Sequence, residues 1–148
     1  MRPLRFVTTV ALAGLLASLA PPRPAAAQGF VIVVNQANPL DRLSRAEVSR
    51  LFLKRTAAWP NGVAAVPYDL SATSPVRAAF SLGVHKKALW IVLAFWQQEI
   101  SSGRATPPAV HHTEQAALDA VRSNLGAITY VAEGLALGPG VKALSLEP

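Results

Sequence analysis

Residues 30–54 read FVIVVNQANPLDRLSRAEVSRLFLK, and this stretch decides the fold. Phe30 to Val34 is an apolar, largely β-branched run with no polar alternation. That is the pattern of a strand buried on both faces. Asn35 to Leu43 is rich in turn residues. Ser44-Arg45-Ala46-Glu47 is a capping box: the Ser44 side chain can accept from the Glu47 N–H, and Glu47 can reach back to the Ser44 N–H. The helix that follows places Val48, Leu51 and Phe52 on one side and should end near Leu53 or Lys54. A buried strand, a turn and a one-sided helix make one unit of a layered α/β domain.

The chain beyond continues the alternation. Val63 to Tyr68 reads as a second strand, and Pro67 near its end implies an edge position or a strand terminus. Ser74 is a good N-cap and Pro75 suits the first helical position, so a helix runs to about Leu82 with Gly83 as its stop. Lys86 to Ser101 is a longer helix. Its middle, Ala88 to Trp96, is nine apolar residues in a row, which predicts a central helix buried nearly all round. That run is too short to span a membrane. Gly103 ends the helix and Pro107-Pro108 prevents its resumption. Thr113 opens another helix through about Asn124, closed by Gly126. Ala127 to Val131 is a third strand and Val141 to Leu146 a short last one. The expected fold class is α/β, a mixed sheet flanked by helices.

The first residues bear on destination. Arg2 and Arg5 precede an uncharged, mostly apolar run from Val7 to Ala20. Pro21, Pro22, Arg23, Pro24 and Ala25-Ala26-Ala27 follow. This is the layout of a cleaved secretory signal over residues 1–27, leaving a domain over 28–148 that begins at Gln28 in the periplasm. A membrane anchor would need about 20 apolar residues, and the run has about 14. The chain has no cysteine, so disulfides, thiol nucleophiles and Cys-based zinc sites are excluded. Without the signal's three arginines, the net charge of +6 falls to about +3. No basic stripe interleaved with aromatics suggests nucleic acid.

Few residues invite chemistry. His85, His111 and His112 read as exposed loop histidines without metal-ligand spacing. No GxSxG, Walker or dinucleotide loop occurs, and no catalytic constellation or cofactor site is evident. Asp69 reads as a turn residue at a strand end. One cluster stands out. Thr73-Ser74-Pro75-Val76-Arg77 opens a helix after a strand, where free N–H groups and the helix dipole favour an anion. Thr73 and Ser74 add hydroxyls, and Arg77 adds a charge for an oxyanion. The plainer alternative is N-capping by Ser74 with Arg77 in solvent. Ser102-Gly103-Arg104 is a second candidate, with Arg104 as an outer partner; its alternative is an ordinary helix stop.

The stretches VIVVNQANPLDRLSRAEVSRLFLKRTAAWPNG, VPYDLSATSPVRAAF, FWQQEISSGRATPP and NLGAITYV, in that order, resemble the substrate-binding proteins of phosphate ABC transporters in a short form. The resemblance implies one lobe of a type 2 periplasmic-binding-protein-like fold. It implies inorganic phosphate or a related oxyanion as ligand, and an ABC permease or another envelope protein as partner. Ser74 falls where the family's Ser-Gly-Thr loop has its serine. Two departures are visible: Pro75 replaces the glycine and removes an N–H, and Lys54 stands where relatives have a glycine after the Phe-Leu pair. A lone lobe would leave its ligand half exposed, which leads to the expectation of weak binding unless a homodimer or another protein covers Thr73–Arg77. The alternative function is an envelope or sensory accessory domain acting by protein–protein interaction without transport.

Overall fold

A computed structural model describes residues 29–148; the expected signal over 1–27 lies outside the described residues. The elements in chain order are β1 (Phe30–Asn35), β2 (Arg42–Ser44), α1 (Arg45–Phe52), β3 (Val66–Leu70), α2 (Pro75–Phe80), a π-helical turn (Ser81–His85), α3 (Leu89–Ser101), β4 (Ala109–His111), α4 (Glu114–Arg122), β5 (Ala127–Ala132) and β6 (Val141–Glu147). They build one mixed sheet in the order β2-β6-β1-β5-β3-β4. β1 runs antiparallel to both β5 and β6, while β3 lies parallel to β5 and to β4.

The apolar run that opens the domain becomes a central strand because both of its faces find a cover. Ile32 and Val34 join Ile128 and Tyr130 on one face, packed against Phe52 of α1 and Val76 and Phe80 of α2. Phe80 stacks flat on Tyr130 with ring centroids 3.9 Å apart. Val33 and Val131 face the other way, onto Leu118 and Val121 of α4. Each such side chain contributes roughly 1.5–3 kcal/mol by its burial.

The capping box forms as the sequence predicts: the Glu47 N–H donates to Ser44 Oγ at 3.2 Å, and the Ser44 N–H donates to Glu47 at 2.8 Å. α1 stops at Lys54, which takes the left-handed conformation (φ 52°). Arg55 N–H bonds Arg50 C=O and Lys54 N–H bonds Leu51 C=O, the paired closure that usually ends on glycine. Lysine in place of glycine therefore does not move the helix stop; it makes the stop strained.

Three expectations change. The second strand begins at Val66, not Val63. Residues 57–65 close on themselves, with Trp59 N–H to Val63 C=O and Ala65 N–H to Ala57 C=O, so Val63–Ala65 spend their backbone groups locally. Pro67 is the second residue of β3 and precedes the pairing with β4, which starts at Tyr68, so its missing donor costs the ladder nothing. Gly83 does not stop a helix. α2 widens into the π turn through His85, and the left-handed residue is Lys86 (φ 56°). A Cβ at Gly83 would lie 2.6 Å from the Phe30 ring, so glycine is there for close packing.

The third change concerns α3. It was expected to be buried nearly all round, yet among its residues only Val92 and Trp96 are buried. Trp90 is 70% exposed, Ile100 50% and Leu93 38%. The chain bends by 82° between Pro75–His85 and α3, which carries the helix off the body. Among the described residues no single helix is long and apolar enough to cross a membrane.

Candidate functional site

β3 and β4 run parallel and end side by side, at Leu70 and His111. Two helices start from this edge: α2, capped by Ser74, and α4, capped by Thr113. In open α/β sheets this carboxyl edge is where ligands sit. The Ser71 N–H donates to the His111 carbonyl at 3.2 Å and ties the two loops together.

The loop before α2 is a compact turn of hydroxyls. Ser71 Oγ and Thr73 Oγ1 are 3.0 Å apart, and the Ser74 N–H donates to Ser71 C=O at 2.9 Å. Ser74 Oγ accepts from the Arg77 N–H at 3.3 Å. Pro75 has no N–H, which leaves that of Val76, a buried residue, as the first-turn donor without a hydrogen-bond partner among the described residues. Thr73 is exposed and Ser74 half-buried. The structure thus brings Thr73 and Ser74 together at an open edge with donor chemistry suited to an oxyanion.

Arg77 has a different place. It is buried, not solvated. Its Nη2 lies 2.6 Å from Asp69 Oδ2, and its Nη1 donates to the Leu70 carbonyl at 2.8 Å. The guanidinium clamps the end of β3 to α2 beneath the hydroxyl turn. Asp69 is not a turn residue; it is buried in β3 and also accepts from the Tyr130 hydroxyl. Burial pushes the Asp69 carboxyl above its ordinary value, against the pull of the Arg77 charge and the Tyr130 hydrogen bond. Burial, then the Asp69 charge, raises the Tyr130 hydroxyl as well. Neither Asp69 nor Tyr130 was expected at the site. The available signal was a tyrosine inside an otherwise apolar strand, since a buried hydroxyl needs a partner.

Arg104 stays with its own helix end. Its guanidinium pairs with Glu99 at 2.8 Å, and this hydrogen bond holds the Glu99 carboxyl below its usual range. No hydrogen bond joins Arg104 to the 71–74 loop among the described residues.

The histidines divide. His85 is half-buried, contrary to the exposed reading. Its Nδ1 lies 2.8 Å from Ser49 Oγ, and burial followed by the Arg77 charge pushes its pKa down to about 4. His111 packs edge-on against Tyr68 and has its Nε2 buried without a partner. His112 is exposed. Among the described residues no group of His, Asp and Glu is placed to hold a metal ion. A cavity of about 340 Å³ opens between α1 and the Trp59 loop, but Thr73, Ser74, Arg77 and Arg104 do not line it.

The mixed sheet with helices on both faces has the fold of a single lobe of solved phosphate-binding proteins. Solved structures carry that comparison. An ABC-type phosphate transport receptor from Vibrio cholerae superposes with a TM-score of 0.63 at 20% identity, over 80% of this chain and 46% of its own. A phosphate ABC transporter substrate-binding protein from Clostridium perfringens, solved with bound phosphate, gives 0.62 at 16% identity, over 80% and 45%. A possible phosphate binding protein from Planctomyces limnophilus gives 0.61 at 13%, over 81% and 42%. The chain therefore spans a little under half the length of each of these proteins. No protein-family model matches the sequence, and no curated protein does.

Proposed function

We propose that this domain is a periplasmic substrate-binding module that holds phosphate or a related oxyanion at the carboxyl edge of β3 for ABC-type uptake. The observation that carries the reading is the Ser71-Thr73-Ser74 hydroxyl turn at the start of α2, set on a fold whose solved neighbours are phosphate receptors. Thr73 and Ser74 supply hydroxyls and Val76 supplies a backbone N–H. Arg77 acts from below as the strut that fixes the turn, and its charge is already shared with Asp69. The edge is open, so the ligand's charge stays partly screened by water. The expected affinity for phosphate is weak, on the order of 0.1 mM or worse, equivalent to about 5 kcal/mol or less.

Calorimetric titration with phosphate and with sulfate tests this, alongside the Thr73→Val variant, which removes one exposed hydroxyl and keeps the side-chain shape. A hydrogen bond to a charged group is worth about 1.5–3 kcal/mol, so the variant should bind at least about tenfold more weakly. Absence of heat with either anion, or equal affinity in the variant, would refute the assignment.

A further inference from the structure

The cavity of about 340 Å³ between α1 and the Trp59 loop lies at the end of the sheet away from the hydroxyl turn. Trp59 precedes β3 and donates its indole N–H to the Gly126 carbonyl at 2.9 Å, just before β5 begins. The Thr73–Ser74 turn follows the carboxyl end of β3. What the cavity holds is therefore independent of what that turn binds.

Its walls are held in place by the protein alone. Trp59 is buried, and its loop closes on itself through the Trp59 N–H to the Val63 carbonyl and the Ala65 N–H to the Ala57 carbonyl. The facing wall is α1, pinned at its start by the capping box. At its end the Arg55 and Thr56 N–H groups both donate to the Arg50 carbonyl. Leu43, Leu51 and Trp59 supply apolar lining. Fixed apolar walls with a few polar groups are the usual form of a small-molecule site. A dry apolar cavity of about 150 Å³ accepts benzene. One of 340 Å³ has room for an apolar side chain and a charged head group.

Two opposite charges line the same cavity, about one helical turn apart on α1: Glu47 and Arg50. They do not pair with each other, and the Arg50 guanidinium has no ion-pair partner among the described residues. Glu47 takes both Ser44 donors on Oε2, which leaves Oε1 without a partner among the described residues. Those Ser44 hydrogen bonds hold the Glu47 carboxyl below its usual range, so it is ionised at neutral pH. A purely anionic ligand would meet Arg50 but bring like charge beside Glu47. A purely cationic one would meet Glu47 and face Arg50. A small molecule that carries both charges complements the pair.

We propose that this cavity binds an apolar α-amino acid as its zwitterion. The side chain lies against Leu43, Leu51 and Trp59, the carboxylate sits on the Arg50 guanidinium, and the ammonium donates to Glu47 Oε1. The guanidinium fork suits a carboxylate. Arg50 is exposed, so the head-group contacts are screened by water and binding is modest.

Titration of the full domain with L-leucine and L-phenylalanine, followed by NMR, is the test. The Trp59 indole proton signal should shift and saturate, while that of the exposed Trp90 should not. Each amino acid should bind several-fold more tightly than its deaminated acid or its decarboxylated amine. Arg50→Gln changes an exposed side chain, should keep the parent circular dichroism, and should weaken binding about three- to tenfold. Glu47→Gln keeps a residue type that the capping box accepts. It should erase the preference for the amino acid over the deaminated acid, an outcome that a purely structural role would not give. Saturating phosphate should leave the titration unchanged. No shift of the Trp59 signal with either amino acid up to about 10 mM would overturn the proposal. So would equal binding of acid, amine and amino acid by the parent, unchanged affinity in Arg50→Gln, a preference that persists in Glu47→Gln, or displacement by phosphate.

Discussion

Replacing Arg77 with methionine tests how the candidate site is built. The change keeps most of the buried aliphatic volume and deletes the charge. It leaves the Asp69 carboxylate buried without its cation and the Leu70 carbonyl without the Arg77 donor. Breaking one side of a buried ion pair costs about 3–5 kcal/mol, most of it from the stranded partner. At 2.6 Å, and with both side chains less than a tenth exposed, this pair belongs in that range. Urea unfolding should therefore place Arg77→Met about 3–5 kcal/mol below the parent. Pairing it with Asp69→Asn should recover a large share, because the stranded charge is then gone. The variant should also let the His85 pKa rise from about 4, since the Arg77 charge helps to hold it down. Ring-proton NMR would follow that. A loss under about 1 kcal/mol, or a double variant no more stable than Arg77→Met, would show that Arg77 is not a strut, and the description of the site would fail.

Two further outcomes are expected. Lys54 sits at φ 52°, a conformation costing a side-chain-bearing residue about 1–2 kcal/mol. Lys54→Gly should then stabilise by about 0.5–1 kcal/mol after glycine's extra unfolded freedom is subtracted, read as a melting-point rise of a few degrees; a fall would mean the lysine side chain makes a compensating contact. Acid should destabilise the domain through His85. Its folded pKa of about 4 lies below the ordinary 6.5, so the unfolded chain takes the proton first. Stability is then full above about pH 6.5 and declines by roughly 2–3 kcal/mol towards pH 4.5. Asp69 acts with the opposite sign, because its raised pKa makes the folded form take up the proton first. Comparing urea midpoints at pH 7 and 4.5 for the parent and His85→Gln isolates the histidine. Equal losses in the two proteins would contradict its burial as described.

The elements legible from the residues were those whose signals are local. The capping box at Ser44 and Glu47, the Ser74-Pro75 start, the Gly103 stop and the apolar strands at 30 and 127 all formed where expected. β2 and β4 are three residues each, too short for any periodicity to show. α3 was misplaced because continuous apolarity reads as burial, whereas the direction of the helix is set by the left-handed Lys86 before it. At the candidate site, the Thr73–Ser74 turn was readable from capping chemistry. The fate of Arg77 was not, since its partner Asp69 lies across a turn and the third member, Tyr130, comes from a strand far along the chain.

The position of β1 has a consequence for how the molecule comes into being. Both of its neighbours, β5 and β6, lie about a hundred residues further along the chain, a separation that slows closure. As a nascent chain lengthens, β1 has no ladder to join until β5 is present, and one of its edges stays open until β6 is made. A product truncated before Val141 would carry a central strand with an unprotected apolar edge, a template for pairing with other chains. Assembly is thus committed late, and the chain stays pliable until nearly all of it has been synthesised. Such a chain can still be threaded through a narrow channel before it locks.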